Sequence, residues 1–575
     1  MAGKIRALVV VLVCLLFSPG YGGLPQAEPA YPPPKTVRRA GRTPLLEIYV
    51  VEAIANRRLL PETSPVPSTG ETALSLTACP GEYEPASFAV RALKEVRGLG
   101  LSVTDLKSRD AARPIPSAAV DPYVVECWYQ SGRDIHFRDQ RILTPELLLK
   151  DDALIRVDFE KKENYLRPPS TGRGESSYVP ISGKDSSALE NVSPRDAAEL
   201  QPVDISAGTL KQFWLTVRVP EDAQPGDYSG EVHIRVPGKA ESSLPLRLRI
   251  LPFKLEPPVL RYSIYYRGKL RPSGIGSISS EWKSPQQYEA EMRDLKAHGV
   301  EYPTVYQGYD RDLLEQMFQL REKASLPKGP LYTLGIGTGS PTEPEQLESL
   351  KNGVEKWIEV AAAHGYDPVY VYGIDEARGE KLTAQQRAWE AVKEAGGRVF
   401  VACYKGTFEA MGDRLGLAVF AGPPDHEEAK KYHRVGSQIF CYGNPQVGVE
   451  EPETYRRNFG LLLWKAGYDG AMDYAYQHSF GHIWNDFDHG HYRDHVFAYP
   501  TADGVIDTVQ WEGFREGVDD VRYLSTLLKA IEKARRSYSP LAAEAERWLE
   551  RLDPAGDLNR LRRDMVGWIL KLQNQ

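Results

Sequence analysis

Two adjacent carboxylates, Asp375 and Glu376, end the strand-like run YVYGIDE at residues 370–376. Successive residues of a strand point to opposite faces of a sheet, so a regular strand would leave one of these carboxylates in water. If the chain turns at this point, both carboxylates can reach the same pocket. Carboxyl groups that share a pocket have pKa values pushed apart, which suits separate roles as proton donor and charge stabiliser. The alternative interpretation is an Asp that caps a helix, followed by an exposed Glu.

A repeating strand–helix pattern surrounds this pair. Strand candidates lie at residues 260–268, 302–307, 331–337, 368–375, 398–404, 415–422, 438–443 and 469–476. Helix candidates begin after Ser284, which starts a capping box, and recur near 311–325, 343–363, 382–395, 424–433 and 453–466. Eight strands mostly separated by helices predict a (β/α)8 TIM-type barrel. Catalytic residues of such barrels lie at the C-terminal ends of the strands, so the position of the pair after the fourth strand favours catalysis over a helix cap.

Aromatic and polar residues at the other strand ends are candidate ligand contacts. Tyr404 follows the fifth strand, Tyr442 and Asn444 follow the seventh, and Tyr474 and Tyr476 end the eighth, with Trp484 in the loop beyond. Tyr and Trp suit sugar binding because an apolar ring face can stack on C–H groups while a polar tip forms hydrogen bonds. Each of these aromatic residues could equally lie at the rim or in the core.

Two further motifs suggest other chemistry. The run GIGTGSP at 335–341 resembles a phosphate loop but lacks the Gly-Lys-Ser/Thr ending, so a glycine turn near the pocket is predicted. The loop after the eighth strand has the His and Asp composition of a zinc site, at His482, Asp486, Asp488, His489, His491 and His495. Such residues also bind sugars or one another. We predict no bound metal and no cofactor, and a metal-dependent hydrolase remains an alternative.

The chain on either side of the barrel has a different pattern. Residues 228–236 and 244–250 alternate apolar and polar side chains, which predicts strands with one buried face. A β-sandwich domain is therefore predicted for 45–256, with a long loop near 168–205. Pro252, Pro257 and Pro258 mark the boundary before the barrel, at 257–510, and a helical segment is predicted for 511–575.

The N-terminus has the features of an export signal. Lys4 and Arg6 precede an apolar run from Ala7 to Phe17, so residues 1–23 are predicted to be a signal peptide and 24–44 a Pro-rich linker. Eleven apolar residues are too few to span a bilayer, so no membrane anchor is expected. We expect a secreted or periplasmic protein whose mature chain starts between about Gly20 and Pro29.

The overall composition is that of a globular protein. The 575 residues are 42% hydrophobic and 26% charged. The net charge of −7 argues against a nucleic-acid partner, because acidic surfaces repel phosphates. The mature chain keeps four cysteines, which form neither a disulfide framework nor a metal-type spacing. The pairing of Cys79 and Cys127 and the oligomeric state are left open.

Three segments resemble one enzyme family. CPGEYEPASFAVRAL at 79–93, KQFWLTVRVPEDAQPGDYSGEV at 211–232 and YPTADGVIDTVQWEGFREGVDDVRYL at 499–524 resemble glycoside hydrolase family 123. The resemblance implies an N-terminal β-sandwich, a catalytic (β/α)8 barrel, and removal of β-linked N-acetylgalactosamine from a glycan or glycoconjugate. It also implies an adjacent Asp-Glu catalytic pair, which Asp375 and Glu376 match.

The resemblance further implies how adjacent carboxylates are used. In a 2-acetamido sugar the acetamide oxygen can attack the anomeric carbon, so Glu376 serves as general acid and then base while Asp375 orients and stabilises the acetamido group. The alternatives are a glycosidase for another sugar on the same scaffold and a non-catalytic carbohydrate-binding protein. The intact Asp-Glu pair favours an enzyme.

Overall fold

The computed structural model of the protein describes residues 45–109, 111–169, 178–271 and 278–574. The predicted signal and linker, residues 1–44, lie outside the described residues. The protein is a multidomain protein of mixed α and β structure. Mainly antiparallel sheets precede a parallel sheet with helices, and further helices follow. The exact domain bounds stay a prediction.

Two sheets in the first part of the chain share one apolar core. Their orders are β1-β3-β12-β6-β7 and β11-β4-β13-β14-β2, with β5 paired to β13, and β8–β10 form a small third sheet. The strands are β1 (Leu46–Val51), β2 (Leu74–Ala78), β3 (Tyr83–Ala92), β4 (Val96–Val103), β5 (Lys107–Ser108), β6 (Val120–Gln130), β7 (Ile142–Leu149), β8 (Ile155–Asp158), β9 (Glu163–Leu166), β10 (Val179–Pro180), β11 (Val203–Ile205), β12 (Leu210–Arg218), β13 (Gly226–Arg235) and β14 (Ser242–Ile250). In β13, Tyr228, Val232 and Ile234 are buried, which confirms the predicted alternation.

The segment predicted to be a long loop near 168–205 has more structure than its sequence pattern indicates. Its described part, 178–205, contains β10 and β11, and Ile181 and Leu189 are buried in the core between the two sheets. These apolar residues are too widely spaced to produce a periodic pattern, so no local pattern predicts their burial.

The second part of the chain alternates parallel strands with helices. Seven strands form one parallel sheet in the order β15-β23-β22-β21-β20-β19-β18. The elements are β15 (Arg261–Ile264), β16 (Lys269–Leu270), β17 (Trp282–Lys283), α1 (Pro285–Ala297), α2 (Arg311–Lys323), β18 (Leu331–Gly337), α3 (Pro344–Ala363), β19 (Val369–Tyr372), α4 (Gly379–Thr383), α5 (Gln386–Glu394), β20 (Arg398–Cys403), α6 (Thr407–Met411), β21 (Leu417–Ala421), α7 (His426–Arg434), β22 (Gln438–Tyr442), α8 (Pro452–Asn458), α9 (Leu461–Lys465) and β23 (Gly470–Asp473). The predicted capping box at Ser284 is confirmed at the start of α1.

A short segment connects the two edges of this parallel sheet. The Thr304 amide donates to the Ile264 oxygen of β15 at 3.0 Å, and the Val305 amide donates to the Tyr332 oxygen of β18 at 2.8 Å. Val305 also forms an isolated parallel bridge with Thr333. Residues 302–307, predicted to be the second strand, therefore lie between β15 and β18 but pair over too short a length to form a regular strand.

The last described elements are β24 (Gln477–His478), β25 (His495–Val496), β26 (Ala498–Pro500), β27 (Val505–Asp507), α10 (Val509–Arg536), α11 (Pro540–Glu550) and α12 (Leu558–Gln573). Two predicted helices are each divided in two, and the division between α8 and α9 falls at Gly460. A Cβ atom there would lie 2.4 Å from the Arg456 oxygen and 2.9 Å from the Gly517 oxygen of α10, so close backbone packing requires glycine. No helix within the described ranges is both long enough and apolar enough to cross a membrane.

Candidate active site

Strand β19 carries the carboxylate pair to one end of the parallel sheet. Val369 and Val371 pack outward against the helices, while Tyr370 and Tyr372 join an aromatic cluster on the inner face. After the strand, Glu376 adopts a left-handed backbone conformation with φ of +48°, and its amide donates to the Ala402 oxygen of β20 at 3.1 Å. This turn breaks the strand alternation, and both carboxylates are exposed at the same strand end. Left-handed non-glycine residues concentrate at functional sites.

Asp375 faces a group of tyrosines on the inner face of the parallel sheet. The Tyr372 hydroxyl donates to Asp375 Oδ1 at 2.6 Å, and the Tyr265 hydroxyl lies 3.1 Å from that of Tyr372. Although Asp375 is exposed as a residue, protein surrounds its carboxyl group closely, and this burial raises its pKa to about 6. The Tyr372 hydrogen bond and the Lys381 charge oppose the rise, and the Glu376 charge adds to it. Asp375 therefore changes its charge near neutral pH.

Glu376 contacts a different pair of tyrosines. The Tyr442 hydroxyl, at the end of β22, donates to Glu376 Oε1. Burial, together with the Glu376 charge, raises the pKa of Tyr442 and of Tyr404, so both phenols stay protonated as hydrogen-bond donors. The two adjacent carboxylates thus have separate partners. This separation allows them to act on different atoms of one ligand.

A basic and aromatic group lies next to these tyrosines. Arg267 Nη1 donates to the Tyr474 hydroxyl at 3.0 Å, and that hydroxyl lies 2.9 Å from His478 Nδ1. The rings of Tyr474 and Tyr265 are 5.4 Å apart. Burial, and after it the Arg267 charge, lowers the pKa of His478 to about 2, so its ring is neutral. Tyr265 and Arg267 were not predicted from the sequence. Both lie within three residues after the end of β15, where functional residues of such strands are expected.

The predicted contact residues divide into two groups. Tyr404, Tyr442 and Tyr474 lie around the carboxylate pair. Asn444 is half-buried two residues beyond Tyr442, and its backbone oxygen accepts a hydrogen bond from Asn458 Nδ2 at 3.0 Å.

Tyr476 and Trp484 lie elsewhere, which corrects their predicted placement. The Tyr476 hydroxyl donates to Asp294 Oδ2 at 2.6 Å, outside the sheet and among the helices. Because β23 ends at Asp473, strand alternation no longer determines the direction of the residues that follow. Trp484 is fully buried in the core between the two N-terminal sheets, where its ring packs 6.3 Å from that of Trp128.

The His- and Asp-rich loop after β24 is fastened to the N-terminal sheets. Buried Arg493 binds Asp486 Oδ2 at 2.9 Å, the Gly132 oxygen at 2.9 Å and Glu450. Asp488 accepts a hydrogen bond from Ser186 Oγ at 2.5 Å. The acidic residues of this loop therefore serve mainly to attach it to the rest of the protein.

Within the described ranges, the side chains close enough to hold a metal ion together are Asp294, His298 and Asp507, and none of them belongs to the loop. Burial would lower the pKa of His298, but Asp294 and Glu512 raise it to about 10, so the ring is charged. The charged His298 ring already offsets the negative charge of the carboxylates in this cluster. The structure supplies no independent sign of a metal there.

Replacing Arg493 tests how the loop is held. Arg493→Gln leaves Asp486 buried without its cation and leaves Glu450 with Arg58 alone, 3.4 Å away. Breaking a buried ion pair in this way costs roughly 3–5 kcal/mol. We expect the midpoint of thermal unfolding to fall by about 5 °C or more, measured by circular dichroism. Arg195→Gln is the matched control, because the Arg195–Asp503 pair is exposed and should change the midpoint little. Equal midpoints for the two variants would contradict a fastening role for Arg493.

Comparisons with known proteins support the fold. No model of a known family matches the chain, and neither does any curated protein. Among solved structures, a family 123 glycoside hydrolase from Clostridium perfringens, studied for glycolipid glycan hydrolysis, has a TM-score of 0.64 and 10% identity. The match covers 92% of this chain and 99% of that enzyme. The protein therefore has the fold of that enzyme, which confirms the resemblance seen in the sequence at the level of fold.

Two further matches are weaker. A Bacteroides ovatus xyloglucanase covers 82% of this chain and 100% of its own at 9% identity, with a TM-score of 0.29. A Cordyceps militaris endo-β-N-acetylglucosaminidase covers 46% of this chain and 92% of its own at 10% identity, also with a TM-score of 0.29. Scores this low do not indicate a shared fold.

Proposed function

We propose that this protein is a glycosidase that removes terminal β-linked N-acetylhexosamine, most simply N-acetylgalactosamine, with the acetamido group of the substrate as nucleophile. The observation that carries the proposal is the adjacent pair Asp375 and Glu376, exposed at one strand end with separate tyrosine partners. The fold shared with a family 123 enzyme supports the same assignment.

The geometry of the pair favours help from the substrate. Glycosidases that use two carboxylates hold them about 5 Å apart or more, on opposite sides of the bond that breaks. Side chains of neighbouring residues at a single strand end approach the sugar from one side. A nucleophile for the far side of the anomeric carbon must then come from the sugar, and the acetamide oxygen is suitably placed.

The two carboxylates then have distinct roles. Glu376, held by Tyr442, gives its proton to the leaving oxygen and later removes one from water. Asp375, as a carboxylate, accepts the acetamide N–H and stabilises the positive charge that develops as the ring closes. The tyrosines around Asp375 surround the acetyl group and exclude water.

Two further features belong to the same proposal. We infer that the seven parallel strands and residues 302–307 together form a closed (β/α)8 barrel, because the hydrogen bonds of Thr304 and Val305 reach both edge strands. We also propose that the protein is exported, as residues 1–23 predict. A cleaved N-terminus in protein recovered outside the cytoplasm supports export, and an intact Met1 on that protein contradicts it.

A pair of aryl glycosides tests the function. 4-Nitrophenyl 2-acetamido-2-deoxy-β-galactoside should be hydrolysed, while the matched 4-nitrophenyl β-galactoside, which has a hydroxyl at C2, should not. The corresponding glucose-configured pair establishes which hexosamine is preferred. Equal hydrolysis of the acetamido and hydroxyl substrates would contradict the assignment, and no hydrolysis of any of them would favour a binding protein.

The Tyr372 hydrogen bond should set the acid side of the pH profile. Asp375 acts as a carboxylate, so kcat/KM should fall as pH drops through about 6. Tyr372 donates to the charged form, and Tyr372→Phe therefore raises the Asp375 pKa and moves the acid limb to higher pH. Tyr370→Phe is the control on the same strand and face, because its hydroxyl bonds to Gln438 instead. An acid limb that stays in place in Tyr372→Phe would exclude Asp375 as the titrating group.

A further inference from the structure

A cavity adjoins the carboxylate pair on the Glu376 side. We call it the Arg378 groove, of about 680 Å³, lined among others by Arg378, Tyr404, Lys405, Phe420, Asp425 and His426. Tyr404 connects the groove to the carboxylate pair, because it lines the groove and also interacts with Glu376. The groove therefore begins beside the proposed proton donor and runs past the ends of β20 and β21.

The position of the groove defines what it can bind, provided that the proposed function holds. The terminal N-acetylhexosamine places its acetamido group at Asp375, among Tyr265, Tyr372 and Tyr474. Glu376 gives its proton to the leaving oxygen, so the leaving part of the glycan lies on the Glu376 side. The Arg378 groove is thus a binding surface for the leaving-group sugar, to which the terminal N-acetylhexosamine is linked.

The groove has one uncompensated positive charge. Lys405 Nζ lies 2.5 Å from Asp425 Oδ2, which neutralises that pair. Arg378 is exposed, and its guanidinium lies 3.8 Å above the Tyr404 ring. Within the described ranges, no carboxylate forms an ion pair with Arg378. A guanidinium stacked by its face keeps its N–H donors, which lie in its plane, free for an oxyanion.

We propose that the Arg378 groove binds an anionic group, a carboxylate or a sulfate, on the leaving-group sugar. Arg378 recognises such a group through paired N–H donors, as guanidinium does for carboxylates and other oxyanions. The Tyr404 ring holds the guanidinium in place beside Glu376. The substrate class is then an acidic glycan with terminal N-acetylhexosamine.

Three matched disaccharides test the proposal. Each has N-acetylgalactosamine in the same β-linkage, to galactose, to galacturonate or to galactose 6-sulfate, so only the charged group differs. We expect the wild-type kcat/KM at low salt to be about tenfold or more higher for at least one acidic disaccharide than for the neutral one. This preference should shrink at high salt, because exposed charges are screened. The two acidic arms distinguish carboxylate from sulfate.

Substitutions locate the preference. Arg378→Gln should reduce the ratio of acidic to neutral kcat/KM by about tenfold. The control Arg387→Gln removes the same charge from the exposed side of α5, where Arg387 bonds to the Thr342 oxygen, and should leave the ratio unchanged. An equal loss on all three disaccharides in Arg378→Gln would show only a structural role and overturn the proposal, as would a wild-type preference for the neutral one. Failure to cleave even the neutral disaccharide and the aryl acetamido glycoside would instead count against the proposed function.

Discussion

Glu376→Gln should lower kcat/KM by at least about 100-fold on substrates with poor leaving groups, the usual size of general acid catalysis. An alkyl or sugar leaving group needs a proton as the bond breaks, and the amide of Gln cannot supply one. An activated leaving group such as 2,4-dinitrophenolate departs without protonation, so its cleavage should be much less affected. Steady-state kinetics on both substrate types measures the difference.

The control for this substitution is Glu380→Gln, an exposed residue of α4 four positions further along the chain. It makes the same chemical change and should leave both rates near wild type. A loss in Glu376→Gln that is small and equal on the two substrate types would remove Glu376 from the role of proton donor.

Asp375→Asn should have a large effect of a different kind. Asn keeps the shape and can still accept the Tyr372 hydrogen bond, but it lacks the charge that stabilises the cyclising acetamido group. Loss of one such electrostatic group typically costs about 10²–10³ in kcat. Because this group acts on the acetamide, the loss should be similar for poor and activated leaving groups, unlike that of Glu376→Gln.

Thermal unfolding by circular dichroism should show that Asp375→Asn is folded, and Asp312→Asn, exposed on α2, serves as the control for the charge change. Near wild-type turnover of acetamido substrates by Asp375→Asn would mean that this carboxylate is not needed. A loss that depends on the leaving group, as for Glu376, would mean that the two residues do not have separate roles.

The sequence was informative wherever strand periodicity applies. The run at 369–372 alternates Val and Tyr, and the structure places the valines outward and the tyrosines inward. The strand-end rule led to the carboxylate pair and to Tyr404 and Tyr442. It could have led to Arg267, which lies just beyond the end of β15.

The rest depends on contacts between distant parts of the chain. Tyr476 and Trp484 follow the end of β23, where periodicity no longer indicates a direction, and their partners are Asp294 and Trp128. The loop rich in His and Asp has a metal-like composition, but its partners come from the N-terminal sheets, as with Arg493 and Gly132. No local pattern shows such pairings.

The left-handed turn at Glu376 was not itself predicted from the sequence. The sequence showed that both carboxylates could share a pocket if the chain turned, and the backbone supplies that turn with φ of +48°. Glu has no intrinsic preference for this conformation. The surrounding structure imposes it, through the hydrogen bond from the Glu376 amide to the Ala402 oxygen.

The most direct test of the central claim, attack by the substrate's own acetamide oxygen, is a series of N-acyl substrates. Aryl β-glycosides that carry N-acetyl, N-fluoroacetyl, N-difluoroacetyl and N-trifluoroacetyl groups differ mainly in the nucleophilicity of the amide oxygen. If that oxygen attacks the anomeric carbon, log kcat/KM should fall steeply and regularly with each added fluorine. A rate that is independent of fluorine content would contradict substrate assistance and require a nucleophile on the protein.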